Sequence, residues 1–399
     1  MNIFVVNSGS SSIKYQLFKM PAKNPVCSGL VERIGLDKPS ITHKVFINGE
    51  EKVINLNPEE LPDHEAGLKE VNALLTIGEY AVIQDPADIQ VVGHRIVHGG
   101  ETFTTTTIIN EQVKDDLKKT FQLAPLHNPA SYLGIEVAEK IFTNATQIGV
   151  FDTAFHQTLP PKAYRFAIPN QYYTDFNIRA YGFHGTSHKY VTEQAAAYLS
   201  KKESKLISVH LGNGCSMAAV NNGQSVDTSM GFGPLSGLIM GTRSGDIDPT
   251  VIFYLANQLG YDIEQVSNLL NKRSGMLGLT GNSDMRDITQ AIEQGDENAQ
   301  LAYDLYTYRI KKYIGAYAAV LNGLDAILFT AGVGENDAKV REMVCADLSY
   351  LGIELDTAKN QTRSKEINEI STPNSRVKVL VVPTNEELEI ARQCYELVD

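Results

Sequence analysis

Two stretches of this chain stop an apolar, β-branched run in small polar residues and then begin another. The first is Ile3-Phe4-Val5-Val6, followed by Asn7-Ser8-Gly9-Ser10-Ser11-Ser12 and closed by Ile13-Lys14-Tyr15. The second is Leu206-Ile207-Ser208-Val209-His210-Leu211, then Gly212-Asn213-Gly214, then Cys215-Ser216-Met217-Ala218-Ala219-Val220. Each spells strand, tight turn, strand. Gly removes the Cβ from a backbone that must pass close to a phosphate, while Ser hydroxyls, Asn amides and open N–H groups donate to its oxygens. Two such turns can grip one polyphosphate from opposite sides, with Lys14 adding charge at the first. Either turn alone reads equally well as an ordinary β-hairpin; the repetition is what points to a phosphate. A third stretch, Ala326-Ile327-Leu328-Phe329-Thr330, breaks into Ala331-Gly332-Val333-Gly334-Glu335-Asn336-Asp337 before a helical pattern. Strand, glycine turn, helix is again a phosphate grammar, because helix N-termini and bare amides favour negative charge.

Cations and titratable groups gather at other loop ends. Arg95 stands in Gly93-His94-Arg95-Ile96-Val97-His98-Gly99-Gly100, Asp152 ends a short strand, and Arg243 sits in Gly241-Thr242-Arg243-Ser244-Gly245-Asp246. His184 and His188 flank Gly185-Thr186-Ser187. The common nucleotide and hydrolase signatures are missing: no Gly-Lys dipeptide for a Walker loop, no G-x-G-x-x-G opening a helix, no H-E-x-x-H and no G-x-S-x-G. A nucleotide bound by this chain is bound in another way.

The elements that must carry these residues form two domains. At 399 residues the chain exceeds the ~250 to 300 that one core supports. Hydrophobic content of 43% against 21% charged is that of a soluble globular protein, and the apolar stretch 314–334 is interrupted by Asn322 and Asp325, short of a bilayer span. No basic and apolar leader pattern precedes the first strand, which indicates the cytoplasm. Cys27, Cys215, Cys345 and Cys394 have neither C-x-x-C nor metal spacing and read as buried free thiols in a reducing compartment. A net charge of -12 repels a phosphate backbone and argues against nucleic acid as a partner.

In order, the first domain (1–150) shows alternating sheet patterns over 27–34 and 41–56 around Asn48-Gly49, a helix over 63–77, a strand over 89–97, helices over 110–121 and 128–142, and a strand over 147–151. The second (151–384) has a helix to Leu199 that Thr186 and Ser187 can cap, the second hairpin, and glycine-rich loops at 231–237 and 241–246. Helices follow over 248–259, 262–272, 288–294 and 298–321, then strands over 326–330 and 377–382. A last helix over 385–399 is expected to pack back on the first domain.

These blocks together resemble the acetokinase family of the acetate and sugar kinase, Hsp70 and actin superfamily. The match runs through Asn7 to Lys14, Arg95 in its Gly-His-Arg-Ile-Val-His-Gly context, Asp152-Thr153-Ala154-Phe155-His156, Tyr181 to His188, His210 to Gly214 and Gly332 to Asn336, in order and from end to end. The resemblance implies an α/β fold of duplicated ribonuclease H-like βββαβαβα domains with an interdomain active-site cleft, the actin-like ATPase fold. It implies direct, Mg²⁺-dependent and reversible transfer of the ATP γ-phosphoryl group to acetate, giving acetyl phosphate and ADP, with Mn²⁺ an admissible substitute. It also implies a homodimer formed through the second domain, with no nucleic-acid or membrane partner.

Residue by residue, the resemblance assigns Mg²⁺ to Asn7 and Glu386. One carboxylate, one amide and substrate phosphates suit a hard ion that keeps its water, while Glu386 also fits a capping role near Thr384. Ser10 and Ser12 fall in the phosphate loop. Lys14, His210, Leu211, Gly212, Asn213, Gly214, Gly332, Val333, Gly334, Glu335 and Asn336 match nucleotide contacts. Asp284, Met285 and Arg286 are expected near the adenosine, although from residue types alone Asp284 and Arg286 read as a surface ion pair. Arg95 and Arg243 match the clamps on the carboxylate and the transferring phosphoryl, and His184 matches a hydrogen-bond donor to it. Asp152 orients Arg243 or the acceptor rather than acting as a base, since an acceptor carboxylate with a pKa below ~5 is already ionised at pH 7. Val97, Leu126, Phe183 and Pro234 match a small apolar pocket around the acetate methyl; His127 lines it or serves the turn. His94, His98, His156 and His188 read as structural.

One extra methylene changes binding by only ~1 to 3 kcal/mol, so propionate is expected as a poorer substrate and butyrate as a misfit. A propionate or butyrate kinase of the same family remains the alternative. So does a non-catalytic nucleotide-switched module, which does not need the Arg95, Arg243 and His184 constellation.

Overall fold

The computed structural model describes residues 1–47 and 49–399; Asn48 of the expected Asn48-Gly49 turn lies outside the described residues. The chain divides into two compact units, Met1–Phe155 together with Asn385–Asp399, and His156–Thr384. No helix among the described residues is long and apolar enough to cross a membrane.

The first unit holds an eight-stranded sheet in the order β5-β4-β3-β2-β1-β6-β8-β7. Its strands are β1 (Asn2–Ser8), β2 (Ser12–Lys19), β3 (Pro25–Glu32), β4 (Ser40–Ile47), β5 (Glu50–Leu56), β6 (Val91–Ile96), β7 (Thr107–Ile108) and β8 (Thr146–Phe151). The second unit holds a six-stranded sheet in the order β11-β10-β9-β12-β14-β13. Here the strands are β9 (Lys205–Leu211), β10 (Cys215–Asn221), β11 (Gln224–Thr228), β12 (Ala326–Thr330), β13 (Asn368–Glu369) and β14 (Lys378–Val381).

One connectivity occurs twice. In the first sheet β1 pairs antiparallel with β2, β2 antiparallel with β3, β1 parallel with β6 and β6 parallel with β8. In the second, β9, β10, β11, β12 and β14 repeat those senses in the same order. Two hairpins followed by two parallel crossovers is the duplicated βββαβαβα plan of the actin-like fold. The central strands β1 and β12 are apolar on both faces: Ile3, Phe4, Val5 and Val6 are at most 1% exposed, and Ala326 to Phe329 are fully buried. Helices therefore cover both sides of each sheet. The edge strand β5 instead carries Glu50, Glu51 and Lys52 exposed, charges that discourage edge-to-edge pairing.

Helix starts follow local chemistry. Asp63, Asn110, Asp262 and Asp296 cap the helices His64–Thr76, Glu111–Lys119, Ile263–Lys272 and Glu297–Leu321 by accepting from backbone N–H groups of the first turn. Helix packing shows an exchange. The first long helix after β8, Gly185–Tyr198, packs on β9 and β12, whereas the helix that follows β14, Glu386–Val398, packs on β1 and β6. Each sheet thus keeps a helix drawn from the sequence that follows the other.

Three expectations change. Thr186 and Ser187 do not cap their helix: the cap position is His184, and both hydroxyl residues are buried inside the first turn. The stretch Ala331–Asn336 is itself helical and precedes a second helix, Ala338–Cys345, because Arg341 donates to the carbonyls of Gly334 and Glu335 at 2.9 and 3.0 Å and closes the short turn. The last helix is capped by Asn385, whose side chain accepts from Leu388 N at 3.0 Å, leaving Glu386 in the first turn with its carboxylate unused for capping.

The packing of that last helix depends on Gly93, where an added Cβ would lie 2.8 Å from Cys394 Sγ and 3.0 Å from Ile390 Cγ2. Gly93→Ala is expected to destabilise by about 1–3 kcal/mol through overpacking, and Cys394→Ala in the same chain to recover part of the loss. Urea denaturation of the two singles and the double checks this, and purely additive effects would contradict the contact.

Candidate active site

The first unit assembles a cluster of charge at the ends of β6 and β8 and the start of the last helix. Arg95, at the end of β6, grips Asp152: Nη2 to Oδ2 is 2.7 Å and Nε lies 3.2 Å from both carboxylate oxygens. Strand pairing sets this, since β6 and β8 run parallel with Arg95 opposite Val150 and Asp152 N donating to Ile96 O at 2.9 Å. Glu386 Oε2 stands 3.9 Å from Arg95 Nε. Burial alone would weaken the guanidinium charge, but Asp152, Glu386 and Glu387 hold its pKa above the usual value. Glu386 feels the reverse: burial pushes its carboxyl pKa up, and Asp152 and Glu387 push it further while Arg95 and Lys14 oppose them. Lys14, opposite Asn7 across the first hairpin, forms an ion pair with Glu387 and remains half exposed. In the turn, Gly9 N donates to Ser12 O at 2.8 Å, which leaves Ser10 exposed.

Among the described residues no group of three or more His, Cys, Asp or Glu is placed to hold a metal. The pair of Asn7 and Glu386 offers an amide and a carboxylate, both hard oxygen donors. That set fits only an ion which completes its shell with water and phosphate oxygens, and the burial that raises the Glu386 pKa, reinforced by Asp152 and Glu387, is the penalty on its charge that such a cation would relieve.

In the second unit the β9–β10 turn is drawn tight by Gly212 N donating to Gly214 O at 3.1 Å. Gly214 lies against both side chains: a Cβ there would touch His184 Nε2 at 3.4 Å and Arg243 Nη1 at 3.6 Å, ordinary contact distances. His184 has φ 56 and ψ 27, the left-handed region, a conformation costing about 1–3 kcal/mol in a non-glycine residue and concentrated at functional sites. Its ring stacks on His210 with centroids 4.3 Å apart, and His210 Nδ1 in turn meets the Ser187 hydroxyl at 2.8 Å. Arg243 Nη1 donates to Pro234 O at 3.1 Å. No carboxylate pairs with Arg243 among the described residues, and burial lowers its pKa. A guanidinium drawn out of water without a counter-ion is a site for an anion.

Beside this pair opens a cleft of about 1140 Å³. Gly212 and Asn213, Asp284 to Arg286, and Gly332, Val333 and Asn336 line it, joined by Thr289, Lys339 and Arg363. Sequence reasoning did not single out these last three, and nothing in their local pattern marks them. Asp284 caps the helix Met285–Glu293 and pairs with Arg286 at 2.6 Å, so the ion pair and the cleft wall are the same residues. Leu211 is buried in the sheet. Glu335 Oε1 accepts from Ala331 N at 2.9 Å and Thr384 N at 3.0 Å, fastening the glycine turn from behind. Of the expected acceptor pocket, Val97, Leu126 and His127 belong to the first unit, Phe183 and Pro234 to the second. Leu126 is 64% exposed and Phe183 2%, and His127 opens the helix Asn128–Ile141 at its cap position.

Asp152→Asn keeps the shape but removes the charge–charge attraction to Arg95. An expected loss of about 1–3 kcal/mol in urea denaturation checks that pair; an unchanged midpoint would show that it adds nothing to the folded state.

The model of the Acetokinase family matches residues 2–392. The chain is 55% identical over 399 residues to a protein named acetate kinase from Flavobacterium johnsoniae, covering 100% of both. It is 52% identical to another of that name from Thermotoga maritima, covering 100% of this chain and 99% of the relative. Among solved structures it is similar to the acetate kinase of Porphyromonas gingivalis, with TM-score 0.93, 42% identity and 100% of both chains covered. A propionate kinase from Francisella tularensis gives TM-score 0.92 at 40% identity, again with 100% of both covered.

Proposed function

The chain belongs to the acetokinase family, a family of kinases, and from that premise we propose that it transfers the γ-phosphoryl group of ATP to the carboxylate of acetate, reversibly. The observation that carries this reading is the half-buried Arg243 guanidinium, with no carboxylate partner among the described residues, lying with His184 Nε2 against Gly214 beside the cleft. In the transfer an acetate oxygen forms a bond to the γ-phosphorus as the bond to the ADP oxygen breaks, and the electron pair leaves with ADP. The acceptor is already ionised, so no base is needed. Negative charge spreads over the equatorial oxygens, where Arg243 and His184 donate; a placed Arg is worth on the order of 10³ or more in rate. Arg95, aligned by Asp152, holds the acceptor carboxylate, and by the family pattern Val97, Leu126, His127, Phe183 and Pro234 are assigned to its methyl end. The nucleotide occupies the cleft, with Gly212 to Gly214 and Gly332 to Asn336 at its phosphates, Ser10, Ser12 and Lys14 supplying further donors, and Asp284 to Arg286 at its sugar and base.

Asn7 and Glu386 would hold Mg²⁺, or Mn²⁺ in its place. When bound, the ion neutralises phosphate charge that the protein's own cations leave uncompensated.

We further propose a homodimer and a cytoplasmic location. The helix Thr250–Leu259 exposes Val251, Phe253, Tyr254 and Leu259 together, more apolar surface on one helix than a solvated monomer normally shows. The four buried free thiols support a reducing compartment. The propionate kinase among the structural relatives favours propionate as a second acceptor.

Trapping of acyl phosphate by hydroxylamine tests the reading. Hydroxamate is expected most from acetate, less from propionate, least from butyrate, and none without divalent metal. ATP hydrolysis with no carboxylate able to yield hydroxamate would overturn it. Arg243→Lys, lacking the planar fork, should lower kcat on the order of 10²- to 10³-fold. Glu386→Gln should raise the metal-free Tm, because folding raises this carboxyl pKa and its charged form therefore subtracts stability at neutral pH. The same variant should lose the Tm increase that Mg²⁺ with ADP gives the parent chain; a lower metal-free Tm would contradict the assignment.

A further inference from the structure

Behind His184 lies a line of buried side chains that transfer chemistry does not itself require. His184 Nδ1 is 2.8 Å from Ser216 Oγ, Ser216 Oγ is 2.8 Å from His188 Nε2, and His188 Nδ1 is 2.8 Å from Ser208 Oγ. Ser208, Ser216 and His188 are fully buried. Burial, then the neighbouring His156 and His210, lower the His188 pKa well below its usual value, so His188 carries one N–H.

Each hydroxyl has one proton and each neutral imidazole one donor and one acceptor. The line therefore has two possible polarities. A phosphoryl group offers only acceptor oxygens, so His184 must present Nε2–H to it. In a neutral ring Nδ1 is then an acceptor, and Ser216 must donate to it. Ser216 oxygen accepts in turn from His188 Nε2–H, and His188 Nδ1 accepts from Ser208. The opposite polarity would put a proton on His184 Nδ1 and require a full imidazolium to reach the phosphoryl.

A parallel arrangement steadies the backbone. His156 Nε2 meets Phe183 O at 3.1 Å, so that nitrogen donates, and Nδ1 takes the Ser225 hydroxyl at 2.8 Å. This fixes the carbonyl immediately before the left-handed His184.

We propose that Ser208, His188 and Ser216 form a polarised hydrogen-bond chain that holds His184 as the neutral tautomer with its proton on Nε2, making Ser216 and His188 positioning residues of the transfer site. The inference rests on the reading that His184 meets the phosphoryl group. The chain also locks the ring plane, because Nδ1 is satisfied only in the rotamer that points Nε2 past Gly214.

Nitrogen-15 NMR of histidine-labelled protein, combined with steady-state kinetics, tests this. The parent chain should show His184 with a pyrrole-type Nε2 and a pyridine-type Nδ1. Ser216→Ala should move both towards averaged values and lower kcat on the order of 10- to 100-fold, with KM for ATP and acetate within about twofold. His188→Gln, whose amide N–H can still donate to Ser216, should retain the parent tautomer and most of kcat, whereas His188→Leu should not. A proton found on Nδ1 in the parent, or Ser216→Ala keeping both tautomer and kcat, would overturn the proposal. The fixed Nε2–H tautomer in a protein that makes no acyl phosphate would support the chain while removing the transfer reading.

Discussion

A guanidinium partly withdrawn from water, with no carboxylate beside it among the described residues, is the constraint on which the second unit turns. Arg243 loses part of its hydration and gains the Pro234 carbonyl and a weak contact to the Met240 sulfur, an arrangement that costs stability until an anion arrives. Two of its neighbours bear on the same place. Gly214 leaves the room that a Cβ would fill, and His184 is held in a strained left-handed conformation with its Nε2 turned to the same spot. Stability is spent locally to keep two donors waiting at fixed positions, which is how electrostatic preorganisation works.

The rest of that unit keeps those positions. The β9–β10 turn places Gly214, the buried serine and histidine line fixes the His184 ring, and Glu335 and Arg341 clamp the short helix Ala331–Asn336 from two sides. In the first unit the same logic appears with opposite bookkeeping of charge. Arg95 is paired with Asp152, while Glu386 is a carboxylate whose charge burial opposes, an effect that Arg95 and Lys14 offset only in part. One unit thus holds a cation with no carboxylate partner among the described residues, and the other a carboxylate whose charged form is disfavoured.

Much of this was legible from residue types. The strand β12 was read to its ends because a buried central strand is continuously apolar. The repeated hairpin grammar led directly to the repeated sheet order. What was not legible depends on residues distant in sequence. Thr186 and Ser187 look like caps, but His210 and Thr384 claim Ser187. The Gly332-Val333-Gly334 stretch looks like an open turn, yet Arg341 makes it helical. Lys14 looked like a phosphate ligand alone, and it also pairs with Glu387. His188 and Ser216, unremarkable in sequence, acquire meaning only because strands and a helix bring them in line behind His184.

The most direct test of the central claim is calorimetric. A planar trigonal anion that mimics the phosphoryl in flight is titrated, in the presence of Mg²⁺, ADP and acetate, into the parent chain and into Arg243→Ala. The parent is expected to bind the mimic far more tightly than the variant while the two bind ADP alone with similar affinity, since the half-buried guanidinium is assigned to the transferring group and not to the nucleotide. Equal affinity of the two proteins for the mimic would contradict the account.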